Sequence, residues 1–168
     1  NIKMYINTTI SKKMNVVTDI VKFNPNYVIF QNSVKNTIIE DCNFSRIIYS
    51  NELFMLNGIF LKVILKIKNT EKYYNKYKYN FSYEDNKTIL DMILNIEKLI
   101  LCMFNIPRKS AVFSIYIQFA NENIKLFTDI VKKNDKFEDE FILKISGIWE
   151  SDKEYGLTYK FMSTNHYV

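Results

Sequence analysis

Residues 141–161, FILKISGIWESDKEYGLTYKF, alternate with a period of two on both sides of one polar tetrad, Ser151-Asp152-Lys153-Glu154. Before the tetrad Phe141, Leu143, Ile145, Gly147 and Trp149 share one parity, and Ile142, Lys144, Ser146, Ile148 and Glu150 the other. Beyond it Tyr155, Leu157, Tyr159 and Phe161 oppose Gly156, Thr158 and Lys160. Successive strand side chains point to opposite faces, so two alternating runs joined by a short polar turn predict an antiparallel hairpin turning near Asp152. Glycine inside a strand weakens it and marks a bulge, a bend or a close neighbour. Gly147 and Gly156 therefore predict a curved, partly closed sheet in which they face each other or admit another group.

The rest of the chain reads as further short strands around one helix. KMYINTTI (3–10), NVVTDIV (15–21), YVIFQ (27–31), NTIIED (36–41), FSRIIYS (44–50) and GIFLKVILKI (58–67) are rich in β-branched and aromatic residues. Asn24-Pro25-Asn26 and Gln31-Asn32-Ser33 punctuate them. Near 85–106 the period changes: Ile89, Ile93, Ile96, Ile100 and Met103 recur every three or four residues, widened by Leu90, Leu94 and Leu101. This predicts the longest helix, capped by Ser82 or Asp85 and stopped by Pro107. SAVFSIYIQFA (110–120) is a strand by composition or a helix by length, and NIKLF follows the Asn121-Glu122-Asn123 turn. With no repeat and no linker, residues 1–168 form a single domain. The expected class is mainly β, an oligonucleotide-binding-like (OB-like) β-barrel or curved antiparallel sheet carrying one inserted helix.

Catalytic signatures are missing. The sequence contains no Gly-rich phosphate loop, no GxSxG and no HExxH, so the chain is expected not to be an enzyme and to need no cofactor. Cys42, Cys102 and the single His166 lack zinc-ligand spacing, and both cysteines are expected to be reduced, buried thiols. Asp135, Glu138 and Asp139 of DKFEDE could hold a divalent metal, but such a run more often forms a solvated loop. With 48% hydrophobic and 15% aromatic residues, and only three Gly and two Pro, the chain has the material for a core rather than for a disordered segment. It has neither a long apolar run nor a signal-like start, which points to a soluble intracellular protein. The absence of an initial Met suggests a processed or trimmed piece. Heavy use of Lys, Asn, Ile and Tyr fits an AT-rich genome.

The basic residues carry the functional expectation. Lys62, Lys66, Lys68, Lys72, Lys76 and Lys78 face only Glu71, a local excess of five that equals the chain's net charge of +5. KYYNKYKYNFSY (72–83) reads as one half-buried strand, with Tyr73, Tyr77, Tyr79, Phe81 and Tyr83 inward and Tyr74, Lys76 and Lys78 outward. If it pairs with the strand before it, lysines of both line one face around an aromatic ring. Phosphates need mobile positive charge and bases need flat rings, a combination suited to single-stranded nucleic acid. Trp149 and Lys160 are added as a second aromatic and basic pair. The plainer alternative is that the lysines are the solvated side of an edge strand and Trp149 a core residue.

NFSRIIYSNELFMLNGIFL (43–61), the helix ILDMILNIEKLIL and above all KISGIWE…YGLTYKF resemble small proteins of large DNA viruses of protists, which are similar to podophage-type single-stranded DNA-binding proteins. The resemblance covers roughly residues 40–161. It implies an OB-fold protein that coats single strands as an accessory of DNA replication or recombination, without catalysis or cofactor, in host cytoplasm or virus factory. Phage-type members end in a long acidic tail that contacts replication proteins, whereas this chain ends FMSTNHYV. The alternative is a virion structural or minor capsid protein acting through capsid contacts, and a third reading is a host-interaction protein. Homo-oligomers fit any of these.

Overall fold

The turn at Ser151-Asp152-Lys153 joins the two strands around which the rest is arranged. In the computed structural model, which describes residues 17–37, 41–74, 76–126 and 138–163, they are Glu138–Glu150 and Glu154–Ser163. In chain order the elements are β1 (Thr18–Asp19), β2 (Val28–Phe30), β3 (Val34–Lys35), β4 (Asn43–Ser50), β5 (Met55–Leu56), β6 (Ile59–Tyr73), β7 (Lys76–Phe81), α1 (Tyr83–Phe104), β8 (Ser110–Val112), α2 (Ser114–Ala120), β9 (Asn123–Leu126), β10 (Glu138–Glu150) and β11 (Glu154–Ser163). The predicted strand at 3–10, half of the one at 36–41, Asp135 and His166 lie outside the described residues.

β10 is the spine. One edge pairs with β11 from Phe141↔Ser163 to Glu150↔Tyr155. The other edge is shared: β6 takes Glu138 to Ile145, and β4 takes Gly147 to Glu150. The hydrogen-bonded order runs β2-β4-β10-β6-β7-β9, with β11 and β8 beyond the free edge of β10. Two pairs are parallel, β1 with β6 and β8 with β11. The end strands β2 and β9 do not pair among the described residues, so the sheet is open. The protein is mainly β, built on a mostly antiparallel sheet with one substantial helix. The expected OB-like barrel or curved, partly closed antiparallel sheet holds at the level of a mainly β, mostly antiparallel sheet; among the described residues that sheet is not closed.

One face of this sheet is the core. Ile59, Leu61, Val63 and Leu65 of β6, Ile47 and Tyr49 of β4, Leu143, Ile145 and Ile148 of β10, and Leu157 of β11 are buried there. α1 covers them with Leu90, Ile93, Ile100 and Leu101. The helix begins two residues before the predicted start, because Ser82 is extended and Tyr83 N–H donates to the Glu122 carboxylate at 2.8 Å. It ends at Phe104, where Asn105 takes a φ of 27°, two residues ahead of Pro107. Ile100 and Leu101 point inward, so Cys102, a further 100° round the helix, is exposed. Cys42 is half-buried, so neither thiol is the buried one expected; both are free. No described helix is long and apolar enough to cross a membrane.

Residues 110–120 divide into strand β8 and helix α2 instead of forming one element. The division is stabilised by Glu97 of α1, whose carboxylate accepts from Ile115 N–H at 2.8 Å and Tyr116 N–H at 3.0 Å. Free N–H groups at a helix start need acceptors, and here a buried side chain from another helix supplies them.

Asn86 does similar work where β6 exchanges one neighbour for another, between Lys66↔Glu138 and Ile67↔Phe81. Its side chain accepts from Lys66 N–H at 2.7 Å and donates to Lys66 O at 3.1 Å and Ser82 O at 2.9 Å. Buried backbone groups left without partners are costly. Asn86→Ala is expected to lower unfolding free energy by about 2–3 kcal/mol in urea denaturation, and Asn86→Asp, which keeps the acceptor but turns a buried carboxylate oxygen toward the Lys66 and Ser82 carbonyls, to lose at least as much. An Ala variant as stable as the native protein would remove this role.

Candidate nucleic-acid interface

Of the lysines of residues 62–78, Lys62, Lys66, Lys76 and Lys78 keep one side of the sheet, whereas Lys68 and Lys72 leave it. The odd residues of β6 are buried, which turns Phe60, Lys62, Ile64 and Lys66 to the opposite, outer side. A bulge between Ile67 and Asn69 makes Lys68 an extra residue and reverses the alternation beyond it. Lys72 then lies opposite Tyr77, on the face that carries Tyr79 and Phe81, while Glu71 opposes Lys78 and Tyr73 opposes Lys76. KYYNKYKYNFSY is therefore no single strand: β6 ends at Tyr73, Tyr74 turns with a φ of 55°, and Tyr83 already belongs to α1. Tyr74 is 83% exposed at a hairpin tip, not part of a lysine row. Tyr79 does pack inward, edge-on to Phe141 at 5.1 Å, and burial pushes its hydroxyl up.

Acids temper what remains of that row. Lys62 Nζ lies 2.7 Å from Glu140 Oε2, and this hydrogen bond raises the ammonium above its ordinary value. Lys78 lies between Glu71 and Lys125.

Trp149 and Lys160 belong to a different constellation. A second bulge falls between Ile145 and Gly147 of β10. The inserted residue sends Ile148 into the core and turns Gly147 and Trp149 to the outer side with Lys144, where the plain alternation had placed them opposite it. Lys144 stands between Lys160 of β11 and Phe60 of β6. Gly147 stands between Thr158 and Arg46, and Trp149 between Gly156 and Phe44. Phe44, Phe60 and Trp149 are partly exposed, and Arg46 and Lys160 are exposed.

The two glycines decide where the rings lie. Phe44 Cζ is 2.5 Å from the place a Cβ on Gly147 would take, and Trp149 Cζ2 and Nε1 are 2.9 Å from that place on Gly156. Each ring thus leans across one strand into space that any larger residue would fill. The glycines neither face each other nor leave a gap; each admits a ring.

Electrostatics sets the three cations of this face apart. Lys144 Nζ lies 5.1 Å from the Phe60 ring centre, and the Arg46 guanidinium 6.0 Å from that of Phe44. Arg46 Nη1 donates to Asn57 Oδ1 at 2.8 Å. Among the described residues none of Arg46, Lys144 and Lys160 pairs with a carboxylate. Burial, then the charges of Lys160 and Arg46, hold the Lys144 ammonium below its ordinary value. An anion beside the three would relieve that repulsion. No group of acidic, cysteine or histidine side chains among the described residues could hold a metal.

Comparison with protein-family models, with curated proteins and with solved structures gives no match to this chain.

Sequence reasoning reached Trp149 and Lys160 and missed Arg46, Lys144, Phe44 and Phe60. Counting charge along the chain favours runs, whereas these four come from three strands, one charge or ring at a time. The available signal was the shared parity of Lys144 with the strand face opposite the apolar one, mirrored by Lys160 across the turn.

Proposed function

We propose that the chain is a non-catalytic protein that binds single-stranded nucleic acid, DNA in the first instance, on the outer face of β4, β6, β10 and β11. The observation that carries this reading is the grouping of Arg46, Lys144 and Lys160, without a carboxylate partner among the described residues, amid the part-exposed rings of Phe44, Phe60 and Trp149. Cations hold the phosphates and rings stack the bases. The OB-like reading of the fold belongs with this proposal, which needs the curved working face of such a barrel and not its closure. In this role the protein would coat single strands as an accessory of viral DNA replication or recombination, the setting implied by the resemblance of residues 40–161.

Trp149 is the only tryptophan, so its fluorescence reports on this face alone. Single-stranded oligonucleotides are expected to quench it and to raise anisotropy in labelled form, with duplex of equal length binding more weakly. Three phosphate contacts predict log K falling with log salt at a slope of about −2. Wild-type protein that retains no single strand even at low salt ends the reading.

A virion structural or minor capsid role is the second reading. It is favoured by large apolar side chains left in solvent on β3, β5 and the turn before β5, Val34 at 59%, Met55 at 73% and Leu53 at 91% exposure. A capsid component would self-associate through that surface and ignore oligonucleotides under the same conditions.

A further inference from the structure

Resting on the nucleic-acid reading above, we infer that the bound strand crosses the sheet obliquely along β10 and that the protein takes three consecutive bases, one on each of Phe60, Phe44 and Trp149. The rings do not sit in one row. Phe60 projects from β6 beside Lys144 of β10. Phe44 projects from β4, but its ring reaches over Gly147 of β10. Trp149 projects from β10, and its indole reaches over Gly156 of β11. From the Lys144 position to the Trp149 position is about 15 Å of strand at roughly 3.3 Å per residue. Stepping from β6 across β10 to β11, the rings make a diagonal track of three platforms, comparable in extent to sheet surfaces on which two or three bases stack.

The cations are placed to hold the backbone of a strand on that track. Lys144 and Lys160 face each other across β10 and β11 between the first platform and the other two, and Arg46 lies beside Phe44 on the opposite flank. The phosphates that flank the first base meet Lys144 and Lys160, and the one between the second and third bases meets Arg46, three contacts in all. Gly147 and Gly156 are positioning residues: a Cβ at either would meet the ring that defines a platform and also a backbone carbonyl, that of Ser45 at Gly147 and that of Val112 at Gly156.

The test is a length series of oligothymidylates, from one to six nucleotides, titrated into the full chain by isothermal calorimetry at fixed salt. Each of the first three nucleotides is expected to add roughly 5- to 150-fold in affinity, the range of one stacked base, and each later one markedly less. Phe60→Leu, Phe44→Leu and Trp149→Leu keep an apolar side chain at each position and remove its aromatic face. Each should delete one step of the series with the salt slope unchanged, thermal melts confirming that the variants fold. Affinity that climbs by equal steps from three to six nucleotides, or a Phe60→Leu variant that binds the trimer like the native chain, overturns the three-base track while the binding reading stands. No heat and no Trp149 quenching at any length would overturn both.

Discussion

The Arg46→Ala/Lys144→Ala/Lys160→Ala triple variant is expected to bind single-stranded DNA about 100-fold more weakly than the native chain at 0.1 M salt, with its salt dependence almost gone. Each phosphate neutralised on a single strand releases about 0.7 counterion, so removing three cations removes about two units of slope. Folding should survive, because Arg46 and Lys160 are exposed, Lys144 is only partly covered, and none makes an ion pair with a described carboxylate. The binding titrations in 0.05–0.5 M salt that establish the native slope check this directly. Reversing Lys76 and Lys78 to Glu is the contrasting variant. They lie away from the cation group, on a row that already contains Glu71, and should affect binding less. If the Lys76/Lys78 variant loses more affinity than the triple variant, the interface lies on β6 and β7 after all.

Lys144 adds a pH dependence. Its ammonium is held below the ordinary lysine value by burial and by Lys160 and Arg46, and a bound phosphate favours the protonated form. Binding therefore takes up protons near the lowered value, and affinity falls as pH rises through it. Lys144→Arg, which stays charged, should flatten that fall without abolishing binding.

Glu97→Ala is expected to cost about 2–4 kcal/mol of stability in urea or thermal unfolding, because the N–H groups of Ile115 and Tyr116 lose their acceptor. The Glu97 side chain is fully buried. Burial raises its carboxyl above the ordinary value, against the lowering by hydrogen bonds from Ile115, Tyr116 and Ser114. The folded state thus holds the proton more tightly than the unfolded chain does. This contribution to stability grows as pH falls through the raised value and is complete below the ordinary one, about 4.3; it is lost as pH rises. Glu97→Gln keeps one acceptor and should remove that pH-dependent part, a difference readable from unfolding curves between pH 4 and 8. Tyr159 is set by the same environment. Burial, with the Glu97 charge adding to it, pushes its hydroxyl up to about 12, and it donates to Ser114 O at 3.1 Å and Gln118 Oε1 at 2.6 Å. Removing the Glu97 charge should itself make Tyr159 more acidic, in the Ala and Gln variants alike.

Local periodicity determined much of this protein. The alternation around Ser151–Glu154 is enough to make β10 and β11 and to place their turn, since a period of two with a polar break has one antiparallel solution. The three-and-four spacing from Ile89 to Met103 likewise makes α1, displaced by two residues at its start because the cap is supplied by Glu122, a residue distant in sequence, and by two at its end because Asn105 leaves the helical conformation ahead of Pro107. What alternation could not carry was the identity of faces over a long strand. A single inserted residue reverses every side chain beyond it, and both long strands contain one, at Lys68 and at Ser146. The first takes Lys72 off the lysine face that the sequence suggested, and the second turns Trp149 out beside Lys144. Which neighbour shares an edge is also settled only in three dimensions: β10 gives one edge to β6 and then to β4, and only this brings Arg46 and Phe44 beside residues a hundred positions away. The strands themselves follow from short-range sequence pattern, whereas the candidate site follows from bulges and shared edges, whose energetics lie in the packed sheet.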